Sequence, residues 1–337
     1  MTPVIVMVGG FLGAGKTTLL LKAAAMLHQR GLRVAMITND QGAELVDTRM
    51  AAAEGVRAAE IAGGCFCCRF SEFLHSAERL LEFGPDVIFA EPVGSCIGLA
   101  SMMRKLLGGR FRVAPLTVLV DPERARELAD PDVAYLFQNQ IAEADIVCST
   151  KADLDGEAPG IDVHHRLSAR TGDGVEGWLA EVLSAEQEAG AHALSIDYSR
   201  YAQAEAALGW LNWQARLDLR EATTPAAVVG PLLETLDAGL TQAGAVIAHL
   251  KLFNQAETGY IKAALCRNGA EPDVDGDLTA SATRRHELVL NLRAVAAPDL
   301  LKRTVDDAAA ELPGKLTVVH SEAFRPGPPV RLVPGPY

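Results

Sequence analysis

Eight residues near the start carry the most specific chemistry in the chain. Gly10 to Thr17 spell G-x-x-x-x-G-K-T, with Gly13, Ala14, Gly15, Lys16 and Thr17 followed at once by Thr18. Glycines let successive backbone N–H groups converge on phosphate oxygens, and a helix starting there turns its positive end to the same anion. In such a loop the lysine reaches the β- and γ-phosphates and the threonine hydroxyl ligates Mg²⁺. The pattern predicts binding of a nucleoside triphosphate.

Four later segments agree with that reading. Glu91-Pro92-Val93-Gly94 closes an apolar run. A carboxylate there can hold a Mg²⁺-bound water or orient an attacking one, and the Gly94 amide can contact the γ-phosphate. Thr150-Lys151-Ala152-Asp153 reads T-K-x-D. Asp153 can accept from both the N1–H and the exocyclic amino group of guanine, which adenine does not offer. Ser168-Ala169-Arg170 could meet guanine O6 through backbone N–H. Asn39-Asp40-Gln41-Gly42 lies where a segment sensing γ-phosphate and Mg²⁺ is expected, with Asp40 as a Mg²⁺ or water-shell carboxylate. A plain strand-ending turn explains any one of these alone. Their order points to a GTPase, with Lys16, Asp40 and Glu91 as catalytic candidates and Thr17, Asp40 and Glu91 around Mg²⁺.

The second constellation is Gly63-Gly64-Cys65-Phe66-Cys67-Cys68. Thiolates are soft ligands suited to Zn²⁺, Co²⁺ or Ni²⁺. In an extended strand Cys65 and Cys67 share a face while Cys68 points away, so all three converge only if the chain turns, which the glycine pair makes easy. Small core residues or a redox pair are the blander explanations. Three sulfurs leave a fourth tetrahedral position for water, a histidine or a partner chain's ligand. Cys96, Cys148 and Cys266 stand singly among apolar residues and read as small core hydrophobes.

The elements that must position these residues follow from the hydrophobic pattern. Apolar strands are expected at Val4–Val8, Val34–Thr38, Asp86–Ala90, Leu116–Asp121, Ala144–Ser149 and, at an edge, Ile161–Leu167, with a short apolar piece at Val56–Ile61. Helical patterns at Thr18–Gln29, Ser71–Glu82 and Val175–Glu188 intervene. This alternation predicts an α/β P-loop NTPase fold, a mostly parallel sheet covered by helices on both faces, with its functional loops along the carboxyl edge. We expect that domain over 1–190, a connector packing on it over 191–225, and a smaller α+β domain over 226–322. That last domain has helices at Ala226–Gln242 and Pro298–Glu311 and strands at Val246–Phe253, Tyr260–Cys266 and Glu287–Val295. A Pro-rich tail closes the chain over 323–337. His249, Lys251, Lys262, Asn291 and Arg293 alternate with apolar neighbours, which predicts one polar, mildly basic sheet face: solvated, or a docking surface for a client.

The chain has 337 residues, 49% hydrophobic and 22% charged, enough for a large core. A net charge of −12 argues against a nucleic-acid or anionic-membrane binder. No apolar run reaches membrane-spanning length, no signal peptide opens the chain, and six cysteines in a chain this long suggest reduced thiols. We therefore expect a cytoplasmic enzyme with no nucleic-acid and no membrane partner.

The phosphate loop, G-G-C-F-C-C, E-P-V-G, T-K-A-D and S-A-R, in this order, resemble the CobW/HypB/UreG/MeaB group of P-loop GTPases. The C-x-C-C placement between switch and E-x-x-G points to its CobW-like branch, as do Gln140-Ile141-Ala142-Glu143-Ala144-Asp145 and the stretch from Asp197 to Asn212. The resemblance covers about residues 1–215 well and the rest loosely. It implies a metallochaperone or cofactor-insertion protein that hydrolyses GTP slowly, a client metalloprotein or metal-cofactor enzyme, and a homodimer. Two positions depart from the group: Thr150 stands for the more familiar asparagine, and the switch reads N-D-Q-G rather than an acidic-Phe-Gly form. The expected ligands are GTP/GDP, Mg²⁺ and a transition metal, Zn²⁺ first. Other readings stay open: a GTPase that gates or reactivates a corrinoid or other metalloenzyme, with structural or redox cysteines, or a non-catalytic nucleotide-linked metal buffer.

Overall fold

The computed structural model describes residues 2–39, 46–61, 63–106, 110–127, 130–154, 156–158, 160–184 and 189–329. Two compact units partition the chain near Glu205, and each is described by itself.

The first unit alternates strand and helix: β1 (Val4–Gly10), α1 (Lys16–Gln29), β2 (Val34–Asn39), α2 (Val46–Ala53), β3 (Arg57–Ile61), α3 (Phe70–Leu80), β4 (Val87–Glu91), α4 (Leu99–Leu106), β5 (Arg112–Val113), β6 (Thr117–Val120), α5 (Pro122–Glu127), α6 (Pro131–Ala142), β7 (Ile146–Ser149), β8 (His165–Arg166), α7 (Val175–Leu183) and α8 (Tyr198–Ala206). The sheet runs β3-β2-β4-β1-β6-β7-β8, with β5 also beside β1, and every pairing is parallel. Val4–Val8 and Val34–Ile37 are buried along their whole length, as strands covered on both faces must be. Against one face pack Leu19, Leu20, Ala23, Ala24 and Leu27 of α1 with Trp178, Leu179 and Val182 of α7. The Trp178 indole N–H is satisfied by Thr117 Oγ1 at 3.0 Å. Because all strands point one way, the loops after β1, β2, β3, β4, β6, β7 and β8 gather along one edge.

The parallel α/β fold expected from sequence is what forms, with differences in detail. The edge strand expected over Ile161–Leu167 shortens to His165–Arg166. Helices α4, α5 and α6 lie on either side of the expected strand Leu116–Asp121, in segments for which the sequence reading proposed no element. Helix α6 is set by Asp130, whose carboxylate accepts from the N–H of Asp132 and Val133, and by Pro131 in its first turn.

The second unit carries β9 (Gly209–Thr223), α9 (Pro225–Gln242), β10 (Val246–Ala256), β11 (Gly259–Leu265), β12 (Asp273–Gly276), β13 (Thr283–Val295), α10 (Pro298–Ala310) and β14 (Lys315–Phe324). The sheet is antiparallel in the order β12-β11-β10-β13-β9-β14. Two expectations are corrected here. The connector reading of 191–225 fails for 209–223, which is a strand paired on both sides; Leu211, Trp213, Ala215 and Leu217 alternate into the core with Leu232, Leu236 and Leu301 of the helices. The polar sheet face is not solvated, nor a docking surface, at its strongest positions: Lys262, Asn291 and Arg293 are 4%, 7% and 3% exposed. Arg293 lies over the Trp210 ring at 4.1 Å and donates to the Leu211 and Leu292 carbonyls, and Lys262 pairs with Asp275 at 2.8 Å. Burial is tolerated because each polar group finds partners.

Candidate nucleotide site and cysteine cluster

The loop between β1 and α1 is shaped by glycine. Gly10 has φ +130°, and a Cβ there would lie 2.5 Å from the Leu119 carbonyl oxygen. Gly15 takes the left-handed conformation at the N-cap of α1, leaving the first N–H groups of that helix facing the loop. Lys16 folds back, its Nζ donating to the carbonyls of Gly10 at 2.8 Å and Phe11 at 3.3 Å. The loop backbone thus carries its own cation at the position where phosphate oxygens would arrive.

Thr17 ties this loop to two others. Its hydroxyl oxygen is 2.9 Å from Glu91 Oε1, at the end of β4, and 2.7 Å from Asp47 Oδ1, in the first turn of α2. A hydroxyl has one hydrogen and can donate to only one of them. Two carboxylates converging on one hydroxyl oxygen form an all-oxygen donor set of the kind Mg²⁺ takes. Asp47 was not singled out in the sequence; Asp40, the residue that was, lies outside the described residues. The available signal was an acidic residue in the first turn of the helix after the N-D-Q-G segment.

At the far side of the edge, Lys151 has φ +55°, the one positive φ outside glycine among the described residues. Its Nζ pairs with Asp121 Oδ2 at 2.8 Å, a carboxylate that the sequence reading left without a role. Asp153 is exposed and accepts from the Ser168 hydroxyl at 2.7 Å. The segments T-K-A-D and S-A-R therefore meet, with Ala152 N–H bonded to the Leu167 carbonyl. Thr150 donates its hydroxyl to the Val120 carbonyl at 3.3 Å. Ala169 and Arg170 follow Ser168 in a turn closed by Gly172 N–H on the Ser168 carbonyl.

The cysteines sit in the loop after β3. Gly63 and Gly64 have φ +78° and +154°, and the turn closes with Cys68 N–H and Arg69 N–H on the Cys65 carbonyl. This brings Sγ of Cys65 to 2.9 Å from both Cys67 and Cys68, with Cys67 and Cys68 4.0 Å apart. Cys65 and Cys67 are buried and Cys68 is half-buried. Asn39, the last residue of β2, fastens the loop: its amide donates to the Ile61 and Gly64 carbonyls and accepts from Phe66 N–H, all within 2.9 Å. The first residue of the expected switch segment is thus the latch of the cysteine loop.

Cys96 was read as a core hydrophobe, yet its Sγ lies 3.4 Å from Cys67 Sγ. Hydrogen bonds from the Cys65 and Cys67 thiols hold the Cys96 pKa below the ordinary thiol value, while hydrogen bonding with Cys65, Cys68 and Cys96 pushes Cys67 well above it. The segment carrying Cys96 is rigidly held. Gln140 donates to the Gly94 and Cys96 carbonyls, Glu143 accepts from Gly98 N–H and Ala100 N–H, and Glu205 accepts from the Ser95 hydroxyl. Burial pushes the Glu143 carboxyl up to about 8 against those N–H donors. The Q-I-A-E-A-D segment and α8 are therefore supports for the loop after Glu91.

Strand, glycine loop, helix and a carboxylate-ended neighbouring strand define a P-loop nucleotide-binding protein. The profile described as the CobW/HypB/UreG nucleotide-binding domain matches residues 4–173, and the chain belongs to that family. The zinc chaperone YjiA of Escherichia coli (strain K12) is 31% identical over 180 residues, covering 50% of this chain and 55% of that protein. The zinc chaperone CobW of Pseudomonas aeruginosa is 30% identical over 192 residues, covering 46% and 50%. The chain thus spans about half the length of the curated relatives it matches. Among solved structures, Zn(II)-bound YjiA GTPase from E. coli covers 93% of this chain and 99% of its own at 17% identity and TM-score 0.36. HypB from Helicobacter pylori in complex with nickel covers 52% and 84% at 18% identity and TM-score 0.39. No helix among the described residues is long and apolar enough to cross a membrane.

Proposed function

We propose that this chain is a slow GTPase that acts as a metallochaperone, holding a transition metal as cargo at Cys65, Cys67 and Cys68 and releasing it to a client metalloprotein according to nucleotide state. One observation carries the reading. Three cysteine sulfurs lie within 4.8 Å of one another in a loop that Asn39 fastens to the end of β2. The zinc chaperones among the relatives support Zn²⁺ as the cargo, and thiolate chemistry also admits Co²⁺ and Ni²⁺.

In this reading Gly10, Gly13, Ala14, Gly15, Lys16, Thr17 and Thr18 cradle the phosphates. Gly94 senses the γ-phosphate, and Asp153, with Ser168, Ala169, Arg170, Thr150 and Lys151, selects guanine. Thr17, Glu91 and Asp47 would hold Mg²⁺, which neutralises charge on the phosphates when bound. Asp40 keeps its proposed place in the Mg²⁺ or water shell. Residues 1–190 form the GTPase domain, and the second domain, drawn back to include β9, contributes to client recognition or homodimerisation. The setting is the cytoplasm.

The test is single-turnover phosphate release from GTP, with metal content measured alongside. Release lost in Lys16→Ala, with stoichiometric metal in the wild type lost in Cys67→Ser, supports the reading. Phosphate release without metal uptake would leave a GTPase and end the chaperone proposal.

A further inference from the structure

We infer that Cys96 is the fourth thiolate of the metal centre, and that it joins the centre to the loop that reads the γ-phosphate. The inference rests on the metallochaperone reading and supplies what three cysteines leave open, the fourth ligand and the path by which nucleotide state reaches the metal.

The geometry suits a single tetrahedral ion. Metal–sulfur bonds of about 2.3 Å put tetrahedral ligands roughly 3.8 Å apart. The separations here are 2.9, 2.9 and 4.0 Å within the turn and 3.4 Å from Cys67 to Cys96. The three turn sulfurs lie within 4.8 Å of one another and Cys96 stands outside that set, so the turn sulfurs must spread and Cys96 must close on the turn to complete the shell. Cys96 comes from a different loop, 29 residues beyond Cys67, so its approach is not a by-product of the C-x-C-C turn. No histidine has to be recruited, and no second subunit is needed to complete the shell. Binding a divalent cation there releases thiol protons to solvent and changes no oxidation state.

The same residue supplies the coupling. Cys96 is two positions beyond Gly94. A Cβ added at Gly94 would lie 2.7 Å from Leu12 Cδ2 and 3.0 Å from the Leu12 backbone N, so Gly94 rests directly on the phosphate loop. Gln140 holds the Gly94 and Cys96 carbonyls together, and the hydrogen bond of Cys96 N–H to the Val93 carbonyl makes the segment one compact turn. A γ-phosphate that moves Gly94 must move Cys96. With the γ-phosphate in place the four thiolates would be complete; after hydrolysis Cys96 would withdraw, and the three-thiolate site left open at half-buried Cys68 is one from which a client thiol can take the metal.

The sulfur count of the reduced, Zn²⁺-loaded chain with Mg²⁺ and a non-hydrolysable GTP analogue bound, read by X-ray absorption, tests this without mutation. Four sulfurs at about 2.3 Å are expected. Three sulfurs with one oxygen or nitrogen would overturn the inference while leaving the three-cysteine chaperone intact. Protein that takes up no Zn²⁺ would overturn both. With Co²⁺ as probe, Cys96→Ser is expected to lose about one quarter of the sulfur-to-cobalt charge-transfer intensity, one thiolate in four, whereas Cys266→Ser keeps all of it. Cys96→Ser should also weaken Co²⁺ binding by more than the roughly 10-fold that loss of an outer-shell partner costs. An unchanged spectrum and affinity in a folded Cys96→Ser protein would overturn the assignment.

Discussion

At the scale of single residues, the account turns on which side chains share the Thr17 hydroxyl. Asp47→Asn removes one charge from that donor set and is expected to raise the Mg²⁺ concentration for half-maximal GTP hydrolysis about 10-fold or more, as loss of a metal-orienting group does. An unchanged Mg²⁺ requirement would remove Asp47 from the site. Lys16→Ala should abolish phosphate release while the cysteine cluster still takes up metal, because Lys16 Nζ acts on the phosphate loop, donating to the Gly10 and Phe11 carbonyls. The phosphate loop was legible because its residues are contiguous and its chemistry dictates its spacing. Asp47 and Cys96 were not, for a shared reason. Asp47 reaches the site from the first turn of α2, 30 residues from Thr17, and Cys96 from the loop after β4, 29 residues from Cys67; a lone cysteine among apolar residues looks like core until its neighbour is known.

At the scale of elements, two latches hold the site. Asn39 gives the cysteine loop three hydrogen bonds, and Asn39→Ala should cost about 2–4 kcal/mol, close to 1 kcal/mol for each, and weaken metal binding in parallel. Equal stability and metal affinity would contradict the latch. Glu143 anchors the segment from Gly98 to Ala100 through its carboxyl, raised by burial from an ordinary 4.5 to about 8. Between those values the folded chain keeps a proton that the unfolded chain has released. The contribution of this group to stability is therefore full below about 4.5 and declines as pH rises to about 8. Denaturant midpoints should show the wild type losing stability relative to Glu143→Gln from about pH 5 to pH 8, and parallel curves would refute the raised value. The parallel strands were legible as continuous apolar runs. Strand β9 was legible too, since Leu211, Trp213, Ala215 and Leu217 alternate with period two, but its aromatic and alanine content was read as connector packing. The short β5 and β12 carry too few residues to leave a pattern.

At the scale of the whole molecule, the tryptophans report the two units separately: Trp178 lies in the first, Trp210 and Trp213 in the second. Ligand that binds only the folded first unit stabilises it by about 2.7 kcal/mol at 100 times its dissociation constant. GDP with Mg²⁺ should therefore raise the Trp178 transition in a protein whose other tryptophans are replaced by phenylalanine, and Lys16→Ala should abolish the shift. A shift that survives Lys16→Ala would mean that the nucleotide binds elsewhere. The central claim is that nucleotide state governs metal retention through loops sharing one sheet edge. Its most direct test is the Zn²⁺ affinity of the full chain, measured by competition with a chromophoric chelator, in GDP and in a non-hydrolysable GTP analogue. A coupling of 1–3 kcal/mol corresponds to roughly 5–150-fold, and the account predicts tighter binding with the analogue by a factor in that range. Equal affinities in the two nucleotide states would contradict it.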